Sequence, residues 1–143
     1  MELSSWLSPY LLAPVFAWLV AQLLKLILAM VHQQTRDYSI FFKSGSMPSS
    51  HTATMIALSS VIAIINGVDS ALFGIAAVVS AVVIYDALNV RRAVGEQGKI
   101  LGLLAEKSKI TQKFYKANGH VLADVLVGAA VGFVVACTIT FIW

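Results

Sequence analysis

The chain has 143 residues, 59% of them apolar and only 12% charged, and its mean hydropathy is +0.84. Globular domains carry roughly a quarter of their residues as charges, so this chain cannot clothe a water-facing surface and reads as one integral membrane domain over residues 1–143. A formal net charge of +3 and a single cysteine, Cys137, exclude a nucleic-acid reader, a disordered tail and a disulfide scaffold.

The predicted fold class is all-α, a polytopic membrane helix bundle of about four transmembrane helices, because a span needs about 20 apolar residues and an open strand edge cannot be satisfied in lipid. The first span runs from about Tyr10 to Val31, broken only by Pro14 near its start and by Gln22 and Lys25. No Lys or Arg precedes it, so it lacks the basic region of a cleavable signal peptide and is expected to persist in the mature protein. The second runs from about Thr52 to Asn66 and reaches adequate length if Pro48-Ser49-Ser50-His51 forms its first turn. A tight Gly67-Val68-Asp69 turn leads to the third, about Ser70 to Leu88, and the fourth runs from Val121 to Trp143.

Two longer connections, His32 to His51 and Asn89 to His120, fall on one membrane face if four spans alternate. Nine of the ten Lys and Arg residues lie in them, and the tenth, Lys25, points toward them from the first span. The opposite face carries only Glu2 and Asp69. The positive-inside rule therefore puts both connections in the cytoplasm and both termini outside. Residues 99–116 mix Ile100, Leu101, Leu103, Leu104, Ile110 and Phe114 with lysines, the pattern of an interfacial amphipathic helix attracted to anionic headgroups.

Polar groups in or beside spans need a reason. His120 and Asp124 are four apart, hence on one helical face, where the carboxylate can hold one ring nitrogen and leave the other free as nucleophile or base. The plain alternative is an interfacial histidine with Asp124 paired to a lysine. Gly128 and Gly132 continue that face as a small-residue stripe suited to close helix contact, and the same stripe makes a homodimer an expectation. The stretch Gly45-Ser46-Met47-Pro48-Ser49-Ser50-His51 enters the second span with helix-start signals. Free N–H groups there could receive an anion, with His51 beside it to move a proton, or Ser49 could simply cap the helix.

Lys25, Arg36, Lys43, Arg91 and Arg92 form the basic set. Lys25 lies about 10 Å inside the end of the first span, on the face of Gln22 and His32, and either snorkels or enters a polar pocket. Arg91 and Arg92 follow Tyr85-Asp86 and precede Gly95-Glu96-Gln97; guanidinium forks suit phosphate oxygens, while the alternative is anchoring with Asp86 and Arg91 paired. The five lysines from Lys99 to Lys116 are explained by topology alone. With no His-x3-His, cysteine pair or carboxylate cluster, no metal site is expected.

Read together, Pro48-Ser49-Ser50-His51 and His120-x3-Asp124 resemble two of the three signature motifs of the type-2 phosphatidic acid phosphatase superfamily, relatives of vanadium haloperoxidases. With Lys25, Tyr85-Asp86, Val90-Arg91-Arg92, Gly95-Glu96-Gln97 and Gly119, the whole chain looks like that superfamily's divergent branch of small membrane proteins. It departs from the superfamily pattern at Ser50, where a glycine is usual, at Phe114, where an arginine is usual, and in the eleven-residue spacing of Lys25 and Arg36.

The resemblance implies a phosphatase without metal or other cofactor. His120 would take the phosphoryl group while Asp124 holds its ring. His51 would protonate the leaving alkoxide and later activate water. Ser49, Ser50 and the helix start would bind phosphate oxygens together with Lys25, Arg36, Lys43, Arg91 and Arg92. A cytoplasmic site in a bacterial inner membrane would meet a phospholipid monoester, phosphatidylglycerophosphate or phosphatidate; the alternatives are an undecaprenyl diphosphate phosphatase and a non-catalytic binder of anionic lipid.

Overall fold

The structure, a computed structural model, describes residues 8–33, 47–108 and 119–143. Helix α1 spans Pro9–Gln33, α2 Ser50–Asn66, α3 Ala71–Tyr85, α4 Arg91–Lys107 and α5 Leu122–Ile142, with a π-helical turn, Asp86–Val90, joining α3 to α4. Among the described residues all regular structure is helical. Three stretches, Pro9–Val31, Ala71–Lys107 and Leu122–Ile142, are long and apolar enough to cross a bilayer. The fourth, α2, has 17 residues, about 25 Å by rise, and stands in the middle, packed against α1, α3 and α5. The outer faces are studded with exposed Leu11, Val15, Leu23, Ile27, Val78, Val82, Leu126 and Val134. That inside-out pattern is the one lipid requires.

Local chemistry sets the boundaries. Ser49 caps α2: its Oγ accepts from the Thr52 N–H at 3.4 Å and lies 3.0 Å from Thr52 Oγ1. At the other end Gly67, at φ 86°, ends the helix and donates its N–H to Ala63 O. Ser70 then closes the turn, donating to Gly67 O at 2.8 Å and accepting from the Phe73 N–H at 3.2 Å. The start of α2 and the Gly67 turn fall where the sequence puts them.

The third span departs from expectation. It does not stop near Leu88 but runs on through the π turn into α4, a 37-residue helical rod of about 55 Å. Neither glycine nor proline occurs between Ile75 and Val94 to break it. Hydrocarbon accounts for only about 30 Å, so the rod extends past the membrane boundary. On that extension Ile100, Leu101, Leu103 and Leu104 are exposed while Gly95 and Ala105 are buried. The amphipathic element is therefore the continuation of a span, and its residues 109–116 lie outside the described part of the chain.

The core is built of small side chains recurring every fourth residue: Ala13, Ala17 and Ala21 on α1, Ala53, Ala57 and Val61 on α2, Ala136 on α5, all fully buried. A Cβ added to Gly128 would stand 2.4 Å from Ser49 O, and one added to Gly132 would stand 2.2 Å from Ala53 O. Helix α5 thus lies backbone to backbone on α2, the close approach that drives association where lipid is as apolar as leucine. The glycine stripe expected to mediate a homodimer is consumed inside the chain, so a second copy would have to use another face.

Candidate functional site

Packing directions bring distant motifs to one end of the bundle. Tyr10 Oη donates to Asn66 Oδ1 at 2.7 Å, so the start of α1 meets the end of α2. Ser59 Oγ and Ser80 Oγ are 2.7 Å apart, which runs α3 antiparallel to α2. The Ser49 N–H donates to Asp124 O at 3.0 Å, so α2 and α5 start together. The His120 N–H donates to Ala87 O at 3.3 Å, tying the entry of α5 to the π turn. Gly119 makes that crossing feasible: a Cβ there would lie 2.2 Å from Arg92 Cα.

Asp124 holds two groups with one oxygen. Its Oδ2 accepts from the Val121 N–H at 3.1 Å, steadying the first turn of α5, and from His120 Nδ1 at 3.3 Å. A carboxylate accepts only, so Nδ1 carries the proton and Nε2 keeps its lone pair. His120 is 3% exposed. That burial pushes its pKa below the usual histidine value, with the bond to Asp124 and the carboxylate's charge pulling the other way. The ring is accordingly neutral at pH 7, the state a nucleophile or base requires.

The basic set divides. Lys25, 2% exposed, occupies the α1 stripe between Ala21 and Ala29 and so faces the bundle instead of snorkelling. Its charge reaches Asp124, His51 and His120. Arg91 Nε contacts Asp86 Oδ2 at 2.6 Å; a five-residue spacing meets on a π turn, whereas on an α-helix it would point 140° away. Arg91's charge also reaches both histidines. Arg92 Nε pairs with Glu96 Oε1 at 3.2 Å. Arg36 and Lys43 lie outside the described residues.

A cavity of about 430 Å³ opens between α4 and the entry of α5, lined by Arg92, Gly95, Glu96, Lys99, Gly119, His120 and Val121. It is polar, it carries two cations against one carboxylate, and His120 forms part of its wall. Ser49, by contrast, is fully buried with its hydroxyl engaged in capping, and Ser50 is 5% exposed. Capping is thus the role the structure gives the Ser49 side chain. His51 is exposed on the first turn of α2 and is coupled electrostatically to His120, but it is not among the described residues lining this cavity. Sequence reasoning missed Lys99 and Glu96 as neighbours of His120. Their signal was the i, i+4, i+7 spacing from Arg92, legible only once the helix is known to continue past Leu88.

Residues 7–135 match the sequence profile of the Divergent PAP2 family. The chain belongs to that family. It is also 30% identical to the uncharacterized membrane protein YuiD of Bacillus subtilis (strain 168), over 92% of this chain and 93% of that protein. No solved structure matches it. Family membership and the apolar helices together make it an integral membrane protein of the divergent PAP2 type, with the motif residues Lys25, His51, Arg91, His120 and Asp124 drawn to one end of the bundle.

Proposed function

We propose that this member of the Divergent PAP2 family is a lipid phosphate phosphatase working through a phosphohistidine at His120. In the first step the Nε2 lone pair attacks phosphorus, an N–P bond forms and the P–O bond to the lipid breaks; the departing alkoxide takes a proton from His51. In the second, His51 removes a proton from water, the hydroxide attacks phosphorus, the N–P bond breaks and inorganic phosphate leaves. Asp124 stabilises the positive charge that the ring acquires. Arg91, Arg92, Lys25 and Lys99 would oppose the charge on the phosphoryl oxygens, with no metal assigned a step. The substrate would be phosphatidate or phosphatidylglycerophosphate, met at the cytoplasmic face of the inner membrane.

The observation that carries this reading is the buried His120–Asp124 pair, with His120 forming part of the wall of a cavity also lined by Arg92 and Lys99. The test is phosphate release by purified protein from phosphatidate and phosphatidylglycerophosphate, with chelator present. The expected result is chelator-resistant release that drops about a thousandfold or more, about 4 kcal/mol in barrier, in His120→Ala. No release by folded wild-type protein would sink the proposal.

A non-catalytic binder of anionic lipid is the second reading, favoured by the fact that Arg91 and Arg92 are each already paired with a carboxylate. It expects His120→Ala to leave lipid binding and function intact while Lys99→Gln and Lys107→Gln weaken both.

A further inference from the structure

Helix α3 rests on α2, and α5 rests on α2 and α1, so α3 and α5 stand apart above α2. Between them runs an apolar groove of about 470 Å³, walled by Ile56 and Ile64 of α2, Phe73, Ala77 and Ile84 of α3, and Phe133 of α5. Two of its three serines, Ser59 and Ser80, turn their hydroxyls to one another. Ser80 Oγ donates to Ala76 O at 2.7 Å and bonds Ser59 Oγ at 2.7 Å, so this pair is satisfied within the protein. A polar ligand would find little to bond; hydrocarbon fits.

Three measures identify the hydrocarbon. The groove's α3 wall from Phe73 to Ile84 rises about 16 Å and takes up most of α3, from three residues past Ser70 to one residue short of Tyr85, a long narrow slot of the shape of an extended hydrocarbon chain. Its upper end, Ile84, is three residues from Ala87, whose carbonyl accepts the His120 N–H. The groove therefore starts one helical turn below the candidate site. A transmembrane helix of the same height would need upwards of about 1,200 Å³, several times this volume, which argues against a second copy of the chain.

We infer that the α2/α3/α5 groove holds one hydrocarbon chain of the lipid whose phosphate head is presented to His120. This rests on the proposed phosphatase reading for the head and adds what selects the tail. The substrate class is a lipid phosphate with a chain long enough to fill the groove, in preference to a short-chain or water-soluble phosphate ester.

The test begins without catalysis. Protein in phosphatidylcholine vesicles is given phosphatidate carrying a diazirine in its acyl chain, irradiated, and the adducts are mapped by mass spectrometry. Adducts are expected at the groove-lining Ile56, Ile64, Phe73, Ala77, Ile84 and Phe133, reduced fivefold or more by excess unlabelled phosphatidate and not by phosphatidylcholine of the same chains. Equal competition by both lipids would mean ordinary boundary lipid and overturn the inference, as would adducts spread over Val78 and Val82 on the outer face of α3. Ala77→Phe and Ala81→Phe, which fill the groove, should cut the adducts at least fivefold, while Val78→Phe should leave them unchanged.

If phosphate release is measurable, the filling variants should lower kcat/KM at least tenfold for dioleoyl phosphatidate and leave dihexanoyl phosphatidate unaffected. An equal loss on both substrates would count against a tail site. Competed adducts in a protein that releases no phosphate would uphold the groove and sink the phosphatase, so the two failures are distinguishable.

Discussion

In the proposed phosphatase the two ring nitrogens of His120 have separate tasks, and Asp124 assigns them. Because the carboxylate can only accept, it fixes the proton on Nδ1, and because the pair is buried, it partly offsets the cost of charging the ring. Burial prevails, and the pKa lies below the ordinary value near 6.5. A neutral ring is the reactive form, so the acid limb of phosphoenzyme formation should fall below pH 6.5. Asp124→Asn removes both contributions that raise the pKa, so the limb should move to still lower pH, while the plateau rate falls at least about a hundredfold through loss of the fixed tautomer. A rapid-quench pH profile reads both; a limb moving to higher pH would contradict the role given to Asp124.

The residue-scale chemistry was legible unevenly. The spacing of four between His120 and Asp124 does bring the two together, but not on one helical face: His120 precedes the extended N-cap Val121, and Asp124 in the first turn of α5 reaches back to it. The depth of Lys25 alone allows snorkelling or a polar pocket, but the pattern Ala13, Ala17, Ala21, Lys25 and Ala29 decides between them: a lysine on an alanine stripe goes where the stripe goes. An Asp86–Arg91 pair is one of the alternatives that the sequence offers. What the sequence does not announce is that the two meet across a π turn, since nothing in residues 86–90 distinguishes a π from an α turn by propensity.

That turn matters at the element scale. It takes up one extra residue between α3 and α4, turns Arg91 back over Asp86, and offers the Ala87 carbonyl to His120. Asp86→Ala should release Arg91, and the expected signature in the release assay is a larger change in KM than in kcat, with melting temperature little altered because the pair is more than a third exposed. The contact between α2 and α5 is less forgiving. Gly132→Leu would push a side chain into the Ala53 carbonyl, and overpacking of this kind costs about 1–3 kcal/mol or more. Its melting temperature in detergent should fall clearly below that of Leu126→Ala on the lipid-facing side; an unchanged value would mean that the two helices do not touch.

At the scale of the whole molecule, the direction of each helix follows from three bonds, Tyr10 to Asn66, Ser59 to Ser80 and Ser49 to Asp124. They gather the basic end of the chain at one side and the Gly67-Val68-Asp69 turn at the other. The alternation of spans could be read from hydropathy; the length of the third could not, because hydropathy falls at Asp86 while the helix, with neither glycine nor proline between Ile75 and Val94, passes through and continues to Lys107. Charge bias gives the sign of the arrangement. Ser108, which follows Lys107 at the far end of the rod, should lie in the cytoplasm, and Val68, 71% exposed at the opposite turn, should lie outside. In a Cys137→Ala background, Val68→Cys should therefore react with a membrane-impermeant maleimide added to intact cells. Ser108→Cys should react only after the membrane is opened. The reverse pattern would carry His120 and its cavity to the outer face. The proposed phosphohistidine chemistry would be unaffected by that result, but its substrate would become a lipid phosphate presented outside, such as an isoprenoid carrier diphosphate.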